Sequence, residues 1–108
     1  MTPSSLWTAA HHQLPMLAIL HNNRSYYNSE EHALNVAQYR ERPLENAPVG
    51  TRIDQPPVDF GNLARSFGLY GDGPITQAAD LRPAVERALK VVKDEGTLAL
   101  IDVICENR

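Results

Sequence analysis

The residues best suited to chemistry lie in the run Pro15-Met16-Leu17-Ala18-Ile19-Leu20-His21-Asn22-Asn23-Arg24-Ser25-Tyr26-Tyr27. A continuous apolar stretch, Met16 to Leu20, stops abruptly at two adjacent asparagines, whose amide oxygens on turning backbone could grip a metal-bound phosphate. Such a stretch is expected of a strand buried on both faces of a parallel sheet, and ligands of such sheets gather beyond the carboxyl ends of strands. Taken without further context, Asn22-Asn23 reads equally as a turn, because asparagine tolerates left-handed backbone and bonds its own chain. Other reactive residue types point less far. His11-His12 and His32 have no partner at metal-ligand spacing, and adjacent histidines on a helix point in different directions, so they are expected to be solvated. Ser4, Ser5 and Cys105 have no base at a spacing that would make a nucleophile.

Elements that would position the asparagine pair can be read along the chain. Ser4 to His12 is expected to be a short helix with Ser4 or Ser5 as its cap, ended by Pro15. Asn28-Ser29-Glu30-Glu31 reads as a capping signal, Asn28 accepting a backbone hydrogen bond while Glu31 reaches back, and opens a helix through about Arg40. Residues 42–57 carry Pro43, Pro48, Gly50, Pro56 and Pro57 with few apolar side chains, which predicts a long surface loop. Asp59 should cap a helix whose Phe60, Leu63, Ala64 and Phe67 form one stripe, ended by Gly68.

A short strand at Leu69-Tyr70 follows, and Gly71-Asp72-Gly73 reads as an ordinary turn. Thr76 or Asp80 opens a longer amphipathic helix with Leu81, Val85, Ala88, Leu89 and Val92 inward, stopped by Gly96. The run Thr97 to Cys105 is a second buried strand, with Cys105 an inert side chain within it. Alternating helices and strands imply an α/β fold, a three-layer domain around a parallel sheet.

Composition narrows the function. A chain of 108 residues with 43% hydrophobic content is expected to be one small domain. A formal charge of -3, with scattered Lys and Arg, gives no footprint for nucleic acid. No stretch approaches the roughly 20 apolar residues of a membrane span, and the first residues lack the pattern of a secretory signal. A single cysteine excludes an internal disulfide and suits the cytoplasm.

Several segments together resemble a known family. They are Ser5-Leu6-Trp7-Thr8-Ala9-Ala10, the proline-led strand ending in Asn22-Asn23-x-x-Tyr26, Val58-Asp59-Phe60-x-x-Leu63-Ala64-x-x-Phe67-Gly68, the helix from Asp80-Leu81 to Leu89, and Leu100-Ile101-Asp102-Val103. In order and spacing they resemble the carboxy-terminal, diphosphate-binding domain of thiamine-diphosphate enzymes of the acetolactate synthase, benzoylformate decarboxylase and pyruvate decarboxylase group. The likeness spans nearly all of residues 1–108, divided as a helix-strand-corner segment (1–27), a helix and mobile loop (28–57) and a helix-strand-helix-strand segment (58–108).

This resemblance implies that Asn22, Asn23, Ser25 and Tyr26 seat thiamine diphosphate. Asn23 would give its side-chain oxygen, and Ser25 its backbone carbonyl, to Mg²⁺; Asn22 and Tyr26 would shape the turn. In the family a Gly-Asp-Gly turn upstream of the asparagine pair supplies an aspartate to the metal, and a separate domain supplies a catalytic glutamate. Neither has a counterpart here, so the expectation is a domain truncated just after Gly-Asp-Gly and inactive alone, from an enzyme of 2-keto acids or aldehydes that works as a homo-oligomer. His21 would face substrate or be satisfied by backbone; Glu30 and Glu31 would flank substrate or serve as caps. Two other readings stay open: an α/β binding or regulatory module that has lost its chemistry, and a small subunit completed by a separate chain.

Overall fold

The computed structural model describes residues 2–106. Seven elements follow in the order α1 (Ser4–His11), β1 (Leu17–Asn22), α2 (Tyr27–Tyr39), α3 (Phe60–Ser66), β2 (Tyr70–Ile75), α4 (Ala78–Glu95) and β3 (Ala99–Ile104). The sheet has three strands in the order β1-β3-β2. β2 and β3 are parallel, in register from Tyr70 against Ala99 to Asp72 against Ile101. β1 also runs parallel to β3, since the Ala99 amide donates to the Met16 carbonyl at one end and the Cys105 amide to the Asn22 carbonyl at the other, both at 2.9 Å.

Alternation along β3 explains the layers. Leu98 and Leu100 pack with Leu6 and Ala9 of α1 and Ala64 of α3. Ala99 and Ile101 face the other way, onto Ala84 and Ala88 of α4. A strand buried on both faces is nearly continuously apolar, which is why the run from Thr97, broken only by the buried Asp102, is legible as a strand. The three-layer α/β expectation holds. The chain nevertheless divides into two compact units rather than the single one expected: one made of the chain up to His21 and Asp59–Ile104, the other of Asn22–Val58 with Cys105 and Glu106.

Local signals account for most boundaries. Asp59 caps α3, accepting from the Asn62 amide at 2.7 Å. Gly96 closes α4 with a left-handed φ of 66°. At α1 the cap expectation fails: Pro3, already helical at φ -57°, precedes the helix, and the Ser5 hydroxyl instead donates to the Thr2 carbonyl at 2.7 Å. The proline ring pre-sets the helical dihedral, so no serine cap is required. In α4, Leu89 is exposed, not inward, and Ala84 takes the buried position, because small residues let the helix lie close on the sheet.

The largest departure is β2. Gly71-Asp72-Gly73 is no turn but the middle of this strand, with a register shift between Asp72 and Ile75. Close packing requires the glycines: a Cβ on Gly71 would stand 2.9 Å from the Gly61 carbonyl carbon, and one on Gly73, at φ 117°, would stand 2.5 Å from the Asp102 carbonyl oxygen. Asp72 between them accepts from the Arg87 guanidinium at 2.7 Å and from the Tyr70 hydroxyl at 3.1 Å. Partial burial pushes its carboxyl up, but the hydrogen bonds from Arg87, Tyr70 and the Gly73 amide outweigh that and hold it below the ordinary value. The cluster therefore stabilises the fold at neutral pH, and that contribution is lost as acid protonates Asp72.

Candidate functional site

β1 runs two residues beyond its apolar stretch and ends on Asn22, so the asparagine pair straddles the strand's carboxyl end as expected. Asn22 is buried and Asn23 half-buried. Each side-chain oxygen accepts from a backbone amide two residues on: Asn22 Oδ1 from Arg24, and Asn23 Oδ1 from Ser25, both at 3.2 Å. Two successive turns of this kind are the local geometry that asparagine favours. They are accompanied by a left-handed φ of 55° at Arg24. The plain turn reading is what these bonds show: a corner whose amide oxygens are fixed by the chain itself.

Ser25 is pinned from the other side. It forms an antiparallel bridge with Arg52, flanked by the Tyr26 amide donating to the Thr51 carbonyl at 2.8 Å and the Ile53 amide donating to the Arg24 carbonyl at 2.9 Å. In a pair flanked this way, a residue's own N–H and C=O point away from the partner strand. The Ser25 amide accordingly donates to Asn23 Oδ1 and not to Arg52. Tyr26 closes the corner; its carbonyl accepts from the Ser29 and Glu30 amides, and its ring is exposed.

Helix α2 begins immediately, with Tyr26 as a cap residue that offers no side-chain hydrogen bond. Asn28 lies inside the helix and Glu31 is exposed, so the capping box expected there does not form. The chain winds two residues earlier than the capping signal implied. Glu30 is the residue the sequence did not single out for this part: it is 6% exposed, and its carboxylate accepts from the Ser25 hydroxyl at 3.4 Å, the Thr51 hydroxyl at 3.3 Å and the Arg52 guanidinium at 3.4 Å. Nothing local in the sequence separates it from Glu31, because its partners at 51 and 52 are distant along the chain.

Residues 42–57 are a surface segment as expected, but one wound into consecutive turns over a buried Ala47. His11, His12, His21 and His32 are exposed, with the His11 ring stacked on Trp7 at 4.9 Å. Cys105 is half-buried, one residue beyond β3, and so is not the fully buried strand residue expected. Among the described residues no three His, Cys, Asp or Glu gather as a metal cluster, and no helix is long and apolar enough to cross a membrane.

Ligands of open parallel α/β sheets gather beyond the carboxyl ends of strands. The comparison with protein families is more specific: residues 1–103 match the family described as thiamine pyrophosphate enzyme, C-terminal TPP binding domain. The chain belongs to this family. No curated protein and no solved structure gives a match.

Proposed function

We propose that this chain forms the diphosphate and metal seat of a thiamine-diphosphate enzyme that acts on 2-keto acids or aldehydes, in the decarboxylase, carboligase or lyase chemistry of the acetolactate synthase, benzoylformate decarboxylase and pyruvate decarboxylase group. The observation that supports this reading is the pair of successive asparagine turns at the end of β1, which fixes the Asn22 and Asn23 side-chain oxygens beside the Arg24 and Ser25 amides. Asn23 and Ser25 are the metal ligands on this reading, and Asn22 and Tyr26 hold the corner. The donor chemistry fits: Mg²⁺ takes oxygen ligands and keeps several from water and substrate phosphates, and an amide oxygen that already accepts one hydrogen bond retains a second lone pair. Two neutral oxygens are a partial set, and diphosphate oxygens and a carboxylate from outside this corner would complete it. The first turn of α2, uncapped by its own side chains, adds backbone amides suited to an anion.

When bound, thiamine diphosphate supplies the carbon nucleophile and stores the electrons of the cleaved bond. The residues of this chain bind and orient it. On this reading they seat the cofactor only, and the catalytic glutamate comes from elsewhere in the complete enzyme. The single thiol supports a cytoplasmic setting.

Titration of Mg²⁺ with thiamine diphosphate, followed by amide chemical shifts at high ligand concentration, tests the reading. Weak saturation is expected at residues 22–26, with Asn23→Ala reducing affinity about tenfold, the scale of one charge-assisted contact. Equal binding by the wild type and the alanine variant would remove Asn23 from the metal. Absence of binding in both would favour a non-catalytic module.

A further inference from the structure

Glu30 has no role as a cap and, at 6% exposure, none at a substrate surface. A carboxylate taken out of water must be compensated by partners, and those of Glu30 come from two separate stretches. One is the corner, through the Ser25 hydroxyl; the other is the turn-rich segment, through Thr51 and Arg52. The same stretches are joined by the Tyr26 and Ile53 backbone bonds on either side of the Ser25–Arg52 bridge. At 3.3–3.4 Å each side-chain contact is long, so the hold comes from convergence of three donors on one carboxylate.

We propose that Glu30 is a positioning residue, fixing the direction of the Ser25 carbonyl and coupling the metal corner to Thr51 and Arg52. The inference rests on the assignment of Ser25 to the metal. Loss of the Glu30 contacts leaves the corner tied to Thr51 and Arg52 only by the backbone bonds of the Tyr26 and Ile53 amides, and the setting of the Ser25 carbonyl against Asn23 Oδ1 loosens. Coupling of this kind is reciprocal: binding at the corner must tighten the 51–53 strand pairing as much as that pairing tightens binding.

The test uses the full chain with Mg²⁺ and thiamine diphosphate as the probe, reading affinity and the hydrogen exchange of the Tyr26 and Ile53 amides. In the wild type, ligand is expected to slow exchange at both amides about fivefold or more. In Glu30→Gln, affinity falls by about the same factor and ligand no longer protects Ile53. Arg52→Ala, at the half-exposed end of the ion pair, moves both readouts in the same direction and serves if Glu30→Gln does not fold; Arg52→Lys restores part of each. A merely structural Glu30 would raise exchange equally with and without ligand and leave affinity unchanged. If the wild type binds and the variants match it in affinity and protection, the positioning role is overturned while the corner assignment stands. If the probe leaves residues 22–26 of the wild type untouched, both fall together.

Discussion

Gly71→Ala is expected to destabilise the fold by about 3 kcal/mol or more, whereas Gly61→Ala is expected to be neutral or stabilising by up to about 1 kcal/mol. The two glycines face each other between α3 and β2. An added methyl on Gly71 runs into the Gly61 backbone, with the carbonyl carbon at 2.9 Å and Cα at 3.0 Å; one on Gly61 meets only ordinary contacts from 3.4 Å. Backbone cannot yield as the end of a flexible side chain does, so the helix must lift from the sheet and expose the layer around Ala64. Against a total stability of roughly 5–15 kcal/mol, such a loss lowers the melting temperature by at least about 12 °C in a domain of this size. Thermal melts of the two variants check it; equal melting would show that α3 and β2 are not in close contact.

Copies of the chain are expected to associate through the β1 side. Trp7, Leu14, Met16 and Ile19 are all exposed, and a cavity of about 470 Å³ lined by Leu6, Ala9, Met16 and Leu20 opens beside them. Among the described strands β1 pairs only with β3, and an open edge next to apolar surface invites pairing. Covering roughly 400 Å² of such surface contributes about 10 kcal/mol at ~25 cal/mol per Å², enough to offset much of the roughly 4–15 kcal/mol cost of association. Sedimentation and melting across a range of concentrations should show species above the 12.0 kDa of one chain, with Ile19→Lys suppressing them. A sharp melt independent of concentration, from a monomer, would contradict this.

Several elements were readable because one physical signal dominated each. β3 announces itself by aliphatic residues on both sides of a single Asp102, α4 by its amphipathic period and Gly96, α3 by Asp59. The strand expected at Leu69-Tyr70 exists, but its continuation to Ile75 escaped because close approach to Gly61 and Asp102 selects glycines there, and glycine in sequence signals a turn; tertiary packing overrode local preference. The α2 start was misplaced for the opposite reason: Asn28 and Glu31 carry a capping signal, yet the helix starts two residues earlier, just after Tyr26, whose amide pairs with Thr51. At the corner itself, the asparagine pair was visible from residue type alone. Glu30 was not, since only the fold brings positions 51 and 52 to it.

Paramagnetic relaxation by Mn²⁺, substituted for Mg²⁺ together with thiamine diphosphate, tests the central assignment most directly. The account predicts that amide signals of Asn23, Ser25 and Tyr26 broaden first and most, that the effect requires the diphosphate, and that Asn23→Ala removes it. Broadening centred on the acidic residues of α4, or spread evenly over surface carboxylates, would contradict a metal held by the corner at the end of β1.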